Sequence, residues 1–151
     1  LLERRAYKAL RDLAFGRTLL TPNWPEAEIL MDAALPRRRD GEEAARQLLE
    51  DLELSAVLLK GGHLDGDADD LLVLREGDAK TGSIRSEWLP GARIPGGPVH
   101  GTGCALSAAI TARLAQGDSI PEAVERARAF IQEAIRNAQA LPNGARILSF
   151  S

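Results

Sequence analysis

The segment SAVLLKGG, residues 55–62, constrains the fold more than any other stretch of the sequence. It is almost entirely apolar, which is typical of a strand buried on both faces of a parallel sheet. RTLLTPN, residues 17–23, predicts a second short buried strand, and residues 69–89 predict antiparallel strands at one edge. Because helical patterns alternate with these strands, the sequence predicts an α/β sandwich on a small, mainly parallel sheet with an exposed edge.

Helix start signals support this interpretation. Asn23 and Glu26 have the spacing of a capping box, and Ser119 and Glu122 repeat it before the last helix. Asp40 is the predicted N-cap of another helix, whose apolar stripe follows it. The last third of the chain is predicted to be helical, with one helix starting at the only cysteine.

Composition excludes several classes of function. A net charge of −3 and an aromatic content of 4% argue against a general nucleic-acid binder. No apolar run approaches the roughly 20 residues that a membrane span needs, so no membrane role is expected. A single cysteine cannot form an internal disulfide or a cysteine-cluster zinc site, which favours a reducing cytoplasm.

The turn HGTGC is the strongest candidate site. A helix start leaves N–H groups unpaired and carries the positive end of the helix dipole. Gly101, Thr102 and Gly103 would let the backbone come close to an anion, such as the phosphates of a nucleotide. Cys104 would then be a base or nucleophile, or its side chain would be a bystander. A glycine-rich loop that merely ends a connection is the alternative.

Other candidate residues have structural alternatives. Asn23 and Glu26 are explained by helix capping, although they also lie after a predicted strand. Lys60 and Gly62 close the apolar strand, where ligands bind in open α/β sheets, but a lysine can simply end a strand in solvent. The histidines at 63 and 100 lack the paired spacing of a metal site.

Three segments together resemble a known family. TPNWPEAEIL, VLLKGGHLDGDADDLLV and HGTGCALSAAITARLAQG are similar, in order and spacing, to the C-terminal half of hydroxymethylpyrimidine (phosphate) kinases of thiamine synthesis. These kinases belong to the ribokinase-like superfamily, beside the pyridoxal kinases. The resemblance implies one partial ribokinase-like domain over residues 1–151, a three-layer sandwich of which only the C-terminal, nucleotide-binding part is present.

The resemblance also implies an activity and residue roles. The activity would be ATP-dependent phosphorylation of a pyrimidine's hydroxymethyl group, or of its monophosphate, with Mg²⁺. The turn from Gly101 to Cys104 would be the anion hole, with Cys104 as the base that deprotonates the attacking hydroxyl. Asn23 and Glu26 would act near the Mg²⁺–phosphate cluster through water, and the KGG strand end would lie beside the nucleotide.

The chain departs from the family in two respects. Nothing in it corresponds to the N-terminal half, so we expect a homodimer or association with a missing N-terminal half. Trp24 stands where the family is expected to have a smaller aliphatic residue, usually leucine. The alternatives left open are a pyridoxal or pyridoxine kinase, an inert nucleotide-binding remnant, and a cysteine hydrolase that uses Cys104 with His63 or His100.

Overall fold

The computed structural model describes residues 4–62, 67–78, 81–142 and 144–150, and its contacts form two compact units. The units are Leu1–Ala92 and Arg93–Ser151, so one domain over residues 1–151 stays a prediction. The first unit contains α1 Arg4–Ala14, β1 Leu19–Leu20, α2 Trp24–Met31, α3 Arg38–Asp51, β2 Ala56–Leu59, β3 Asp70–Glu76 and β4 Ser83–Leu89. The second contains β5 Val99–His100, α4 Thr102–Ala115, α5 Ile120–Arg136, β6 Gln139–Ala140 and β7 Arg146–Ile147.

The sheet of the first unit has the order β1-β2-β3-β4. The α/β class is confirmed, but the sheet is mixed rather than mainly parallel. β1 and β2 pair in parallel, whereas β2 with β3 and β3 with β4 are antiparallel. The reason lies in the connections: α2 and α3 provide the long crossover that a parallel pair needs, while the short β3–β4 connection permits only an antiparallel hairpin.

The core of the first unit lies between α3 and one face of this sheet. β2 is buried along its whole length, as its apolar run predicts. The predicted stripe of α3 is also buried, and it consists of Ala44, Ala45, Leu48, Leu49 and Leu52. These residues form one cluster with Val57, Leu59, Leu71 and Val73, which project from β2 and β3.

The start of α3 corrects one prediction. Asp40 is not the N-cap; Arg37 is, and Asp40 is the third residue of the helix. The carboxylate of Asp40 accepts hydrogen bonds from the backbone N–H of Arg37 at 3.0 Å and from its guanidinium at 2.9 Å. The side-chain hydrogen bond from Arg37 holds the pKa of Asp40 below its ordinary value. This pairing stabilises the first turn, so the helix starts before the residue that composition alone favours.

The second unit is built on the packing of α4 against α5. The predicted capping box of α5 is confirmed, with Glu122 accepting hydrogen bonds from the backbone N–H and the hydroxyl of Ser119. β5, β7 and β6 form a small sheet in which β5 and β7 are parallel. Among the described residues, no helix is both long enough and apolar enough to cross a bilayer.

Candidate functional site

The candidate site of the first unit lies at the end of β2, where residues from two distant segments meet. Lys60 and Asn23 form an isolated parallel bridge, and the N–H of Lys60 donates to the carbonyl of Pro22 at 2.9 Å. The ammonium of Lys60 lies 3.9 Å from a carboxylate oxygen of Glu26. The Lys60 side chain is only 16% exposed, whereas that of Glu26 is 54% exposed. The structure therefore brings Asn23, Glu26 and Lys60 together.

The capping interpretation of Asn23 and Glu26 is confirmed. The side-chain oxygen of Asn23 accepts from the N–H of Glu26 at 2.8 Å, and Glu26 accepts from the N–H of Asn23 at 2.7 Å. The carboxylate of Glu26 is also accessible to a ligand, because it stays half exposed beside the lysine although it caps the helix. Among the described residues, no group of three or more His, Cys, Asp or Glu could hold a metal ion. One accessible carboxylate fits a Mg²⁺ ion that keeps most of its waters.

The two glycines after Lys60 have different roles. Gly61 is buried, and its N–H donates to Asp70 Oδ1 at 2.9 Å. A Cβ at Gly61 would collide with the carbonyl of Asp69, whereas one at Gly62 would meet open space. Gly61 is therefore required by packing, and the exposed Gly62 leaves the strand end accessible. Sequence reasoning missed Asp70, because it looked like part of a solvated acidic turn.

The candidate site of the second unit is the turn at the start of α4. Gly101 is the N-cap and has φ +84°, in the left-handed region. The sequence places the helix start at Cys104, but α4 begins at Thr102, because this glycine turns the chain two residues earlier. A Cβ at Gly101 would meet nothing within 4 Å, so the glycine is needed for its backbone conformation and not for space.

The backbone N–H groups of this turn are available to a ligand. The first hydrogen bond of the helix runs from the N–H of Ala105 to the carbonyl of Gly101, at 2.9 Å. Within the part of the chain that the structure describes, no protein group accepts a hydrogen bond from the N–H of Thr102, Gly103 or Cys104. The first turn also contains no acidic side chain. A helix start with three free N–H groups is suited to bind an anion.

The thiol and the histidines complete the predicted set. Cys104 is exposed, at the third position of α4. His100 is exposed on β5, and in the described ranges no hydrogen bond orients its imidazole. His63 lies outside the described residues. A cysteine hydrolase therefore gains no support, because such an enzyme needs a base that is oriented towards the thiol.

Comparison with known proteins gives consistent matches. Residues 1–149 match the phosphomethylpyrimidine kinase family. The chain is 42% identical over 146 residues to a bifunctional thiamine-biosynthesis protein of Geobacter sulfurreducens, covering 95% of this chain and 28% of that protein. It is 35% identical over 147 residues to the hydroxymethylpyrimidine/phosphomethylpyrimidine kinase of Bacillus subtilis, covering 95% of this chain and 51% of that protein.

Solved structures match in the same way. An ADP complex of Bacillus subtilis pyridoxal kinase has a TM-score of 0.82 and 34% identity, covering 98% of this chain and 54% of that one. The chain thus spans about half, or less, of the length of the proteins that it matches.

Proposed function

The chain belongs to the phosphomethylpyrimidine kinase family, and we propose that it forms the nucleotide-binding part of an ATP-dependent kinase for hydroxymethylpyrimidine or its monophosphate. The resemblance of the three sequence segments and the ribokinase-like α/β fold are confirmed by these matches. The single observation that carries the proposal is that the N–H groups of Thr102, Gly103 and Cys104 have no acceptor among the described residues.

The turn at the start of α4 would assist phosphoryl transfer by stabilising negative charge on the phosphoryl group. The transferring phosphoryl group carries negative charge on its oxygens, and catalysis of its transfer depends mainly on positioning and electrostatics. Free N–H groups at a helix start supply fixed positive partial charge without reorganisation. Cys104, the exposed thiol at the same turn, would accept the proton of the substrate hydroxyl. The proposed roles therefore separate the backbone of the turn, which binds, from the side chain of Cys104, which moves a proton.

The strand end of the first unit is proposed, separately, to bind phosphate and metal. Lys60 would neutralise phosphate charge, and Asn23 would lie beside it at the start of α2. Glu26 would hold Mg²⁺ through water, since the lysine and the capping box already engage its carboxylate. A bound Mg²⁺ would supply charge neutralisation at the phosphates. ATP as the donor is supported by the pyridoxal kinase relative, whose structure is an ADP complex.

ATP with Mg²⁺ is expected to raise the unfolding midpoint of the chain. At a concentration about 100 times the Kd, binding stabilises the folded form by about 2.7 kcal/mol. Lys60→Ala should reduce the shift, while Lys8→Ala should keep it, because Lys8 is an exposed residue of α1 whose ion pair within the described chain is with Asp12. The measurement is thermal unfolding with and without the nucleotide. An unchanged midpoint in the wild-type protein would count against a nucleotide site.

Pyridoxal kinase is the second candidate function. The fold match to pyridoxal kinases favours it, with a TM-score of 0.82, whereas the family match and the curated relatives favour the pyrimidine kinase. ADP formation measured with each alcohol in turn separates the two. Nucleotide binding without turnover on either would favour the inert module. We keep a cytoplasmic location and a homodimer or association with an N-terminal half as part of the proposal.

A further inference from the structure

Arg146, on β7 of the second unit, makes an unusual set of contacts for a half-buried arginine. Its guanidinium lies 3.5 Å from the carbonyl oxygen of Pro95 and 3.3 Å from that of Gly97. It also lies 3.5 Å from the carbonyl oxygen of Ile135, in the last turn of α5. One side chain thus donates to three carbonyl groups that belong to two separate segments of the chain.

The loop before the turn is shaped around this guanidinium. Gly96 has φ +114°, and a Cβ at this position would collide with the Arg146 side chain. A residue with a side chain would therefore be strained by its backbone and would also displace the arginine. The contact with Ile135 is favourable in addition, because the C-terminal end of a helix carries partial negative charge.

The backbone of Arg146 holds the same segment. In the parallel pair of β5 and β7, Val99 is the partner of Arg146 and His100 is the partner of Ile147. β5 ends at His100, directly before Gly101, so this pairing fixes the chain two residues ahead of the free N–H groups. Arg146 therefore holds the segment 95–100 at both of its ends, by its side chain at the loop and by its backbone at the strand.

We propose that Arg146 is a positioning residue, which holds the 95–100 segment so that the N–H groups of Thr102, Gly103 and Cys104 point together at a phosphate. The proposal rests on the proposed nucleotide-binding function of that turn. Arg146 itself need not contact the ligand. Sequence reasoning could not find it, because the contacts join positions about 50 residues apart in the chain.

The test compares Arg146→Ala, Arg146→Lys and a matched control, Arg136→Ala. Arg136 is an exposed arginine of the last turn of α5, and among the described residues its guanidinium pairs with Glu133. The first readout is hydrogen exchange of residues 95–105 in the full, ligand-free chain. The second is the rate at which iodoacetamide alkylates Cys104 at increasing concentrations of Mg²⁺–ADP, which gives the ADP affinity.

In Arg146→Ala, we expect exchange of residues 95–105 to become about tenfold faster, since charged hydrogen bonds are lost. The ADP concentration for half-protection of Cys104 should rise at least about tenfold, because misplaced binding groups lose affinity steeply. Arg136→Ala should match the wild-type protein in both readouts. Arg146→Lys keeps the charge but has all its donors on one nitrogen, in place of the two that contact the loop and α5, so it should recover only part of the affinity.

Two results of the affinity measurement would overturn the positioning role of Arg146. An unchanged ADP affinity in Arg146→Ala would overturn the proposal, even if the variant unfolds at a lower temperature. Equal loss in Arg136→Ala would overturn it too, because charge alone would then account for the effect. If ADP fails to protect Cys104 in the wild-type protein, the proposed function fails. The hydrogen-exchange measurement then decides the positioning role by itself. Faster exchange confined to residues 95–105 of Arg146→Ala, relative to the wild-type protein, supports that role, and an unchanged rate refutes it.

Discussion

Replacing Cys104 with alanine is expected to lower ADP formation in the presence of hydroxymethylpyrimidine by about 10²- to 10⁴-fold, the usual contribution of a general base. The same change should leave nucleotide affinity close to that of the wild-type protein. The reason is that alanine keeps the backbone N–H at position 104 and removes only the thiol, which is exposed and makes no hydrogen bond within the described chain.

Two further variants sharpen this test. Cys104→Ser restores an acceptor of similar size but with a much less acidic proton, so its activity should also fall strongly. Thr111→Ala is the matched control and should keep full activity, since the exposed Thr111 hydroxyl lies about two turns further along α4, where it donates to the carbonyl of Ser107. Full activity in Cys104→Ala would show that the turn acts through its backbone alone, and the assignment of Cys104 as base would be wrong.

Trp24→Ala is expected to have the largest effect on stability, a loss of about 3–5 kcal/mol of unfolding free energy. Trp24 is 6% exposed, and its indole N–H donates to the carbonyl of Leu35 at 2.7 Å. The substitution would leave a cavity at the start of α2 and an unpaired carbonyl at Leu35, between α2 and α3. Because Asn23 and Glu26 flank Trp24, weaker nucleotide binding should accompany the loss. Denaturant unfolding, followed by circular dichroism, measures the change.

A double-mutant cycle tests whether Trp24 and Gly41 are matched. A Cβ at Gly41 would collide with the indole ring, so Gly41→Ala should cost about 1–3 kcal/mol in the wild-type background. In Trp24→Leu, where the ring is gone, the same substitution should cost much less. Simple additivity of the two changes would contradict the packing described here, since contacting residues couple and distant ones do not.

The sequence predicts those features that depend on local patterns. Buried β2 follows from its apolar run, and the capping boxes at Asn23 and Ser119 follow from residue spacing. The predicted N-cap of α3 was wrong. Arginine is not a residue type that favours the N-cap position, and at Arg37 its pairing with Asp40 stabilises it there. The antiparallel strands predicted in residues 69–89 are confirmed as β3 and β4, but the sequence does not reveal that they make up half of this sheet, which is therefore mixed.

The candidate site residues also differ in whether a local sequence pattern marks them. Short motifs were enough to propose the turn at Gly101 and the residues Asn23 and Lys60 as candidates, because helix starts and strand ends have local signals. Asp70, which accepts from Gly61, and Arg146, which donates to the loop before the turn, have no such signals. Their roles depend on contacts between remote segments, which only the folded chain brings together.

The most direct test of the account is the response of the N–H resonances of Thr102, Gly103 and Cys104 to a titration with Mg²⁺–ADP. These three groups lack a protein acceptor within the described residues, so a phosphate that they bind must change their chemical shifts. The account predicts large, saturable shifts at these positions with ADP and small ones with adenosine. ADP binding that leaves all three resonances unchanged would contradict it.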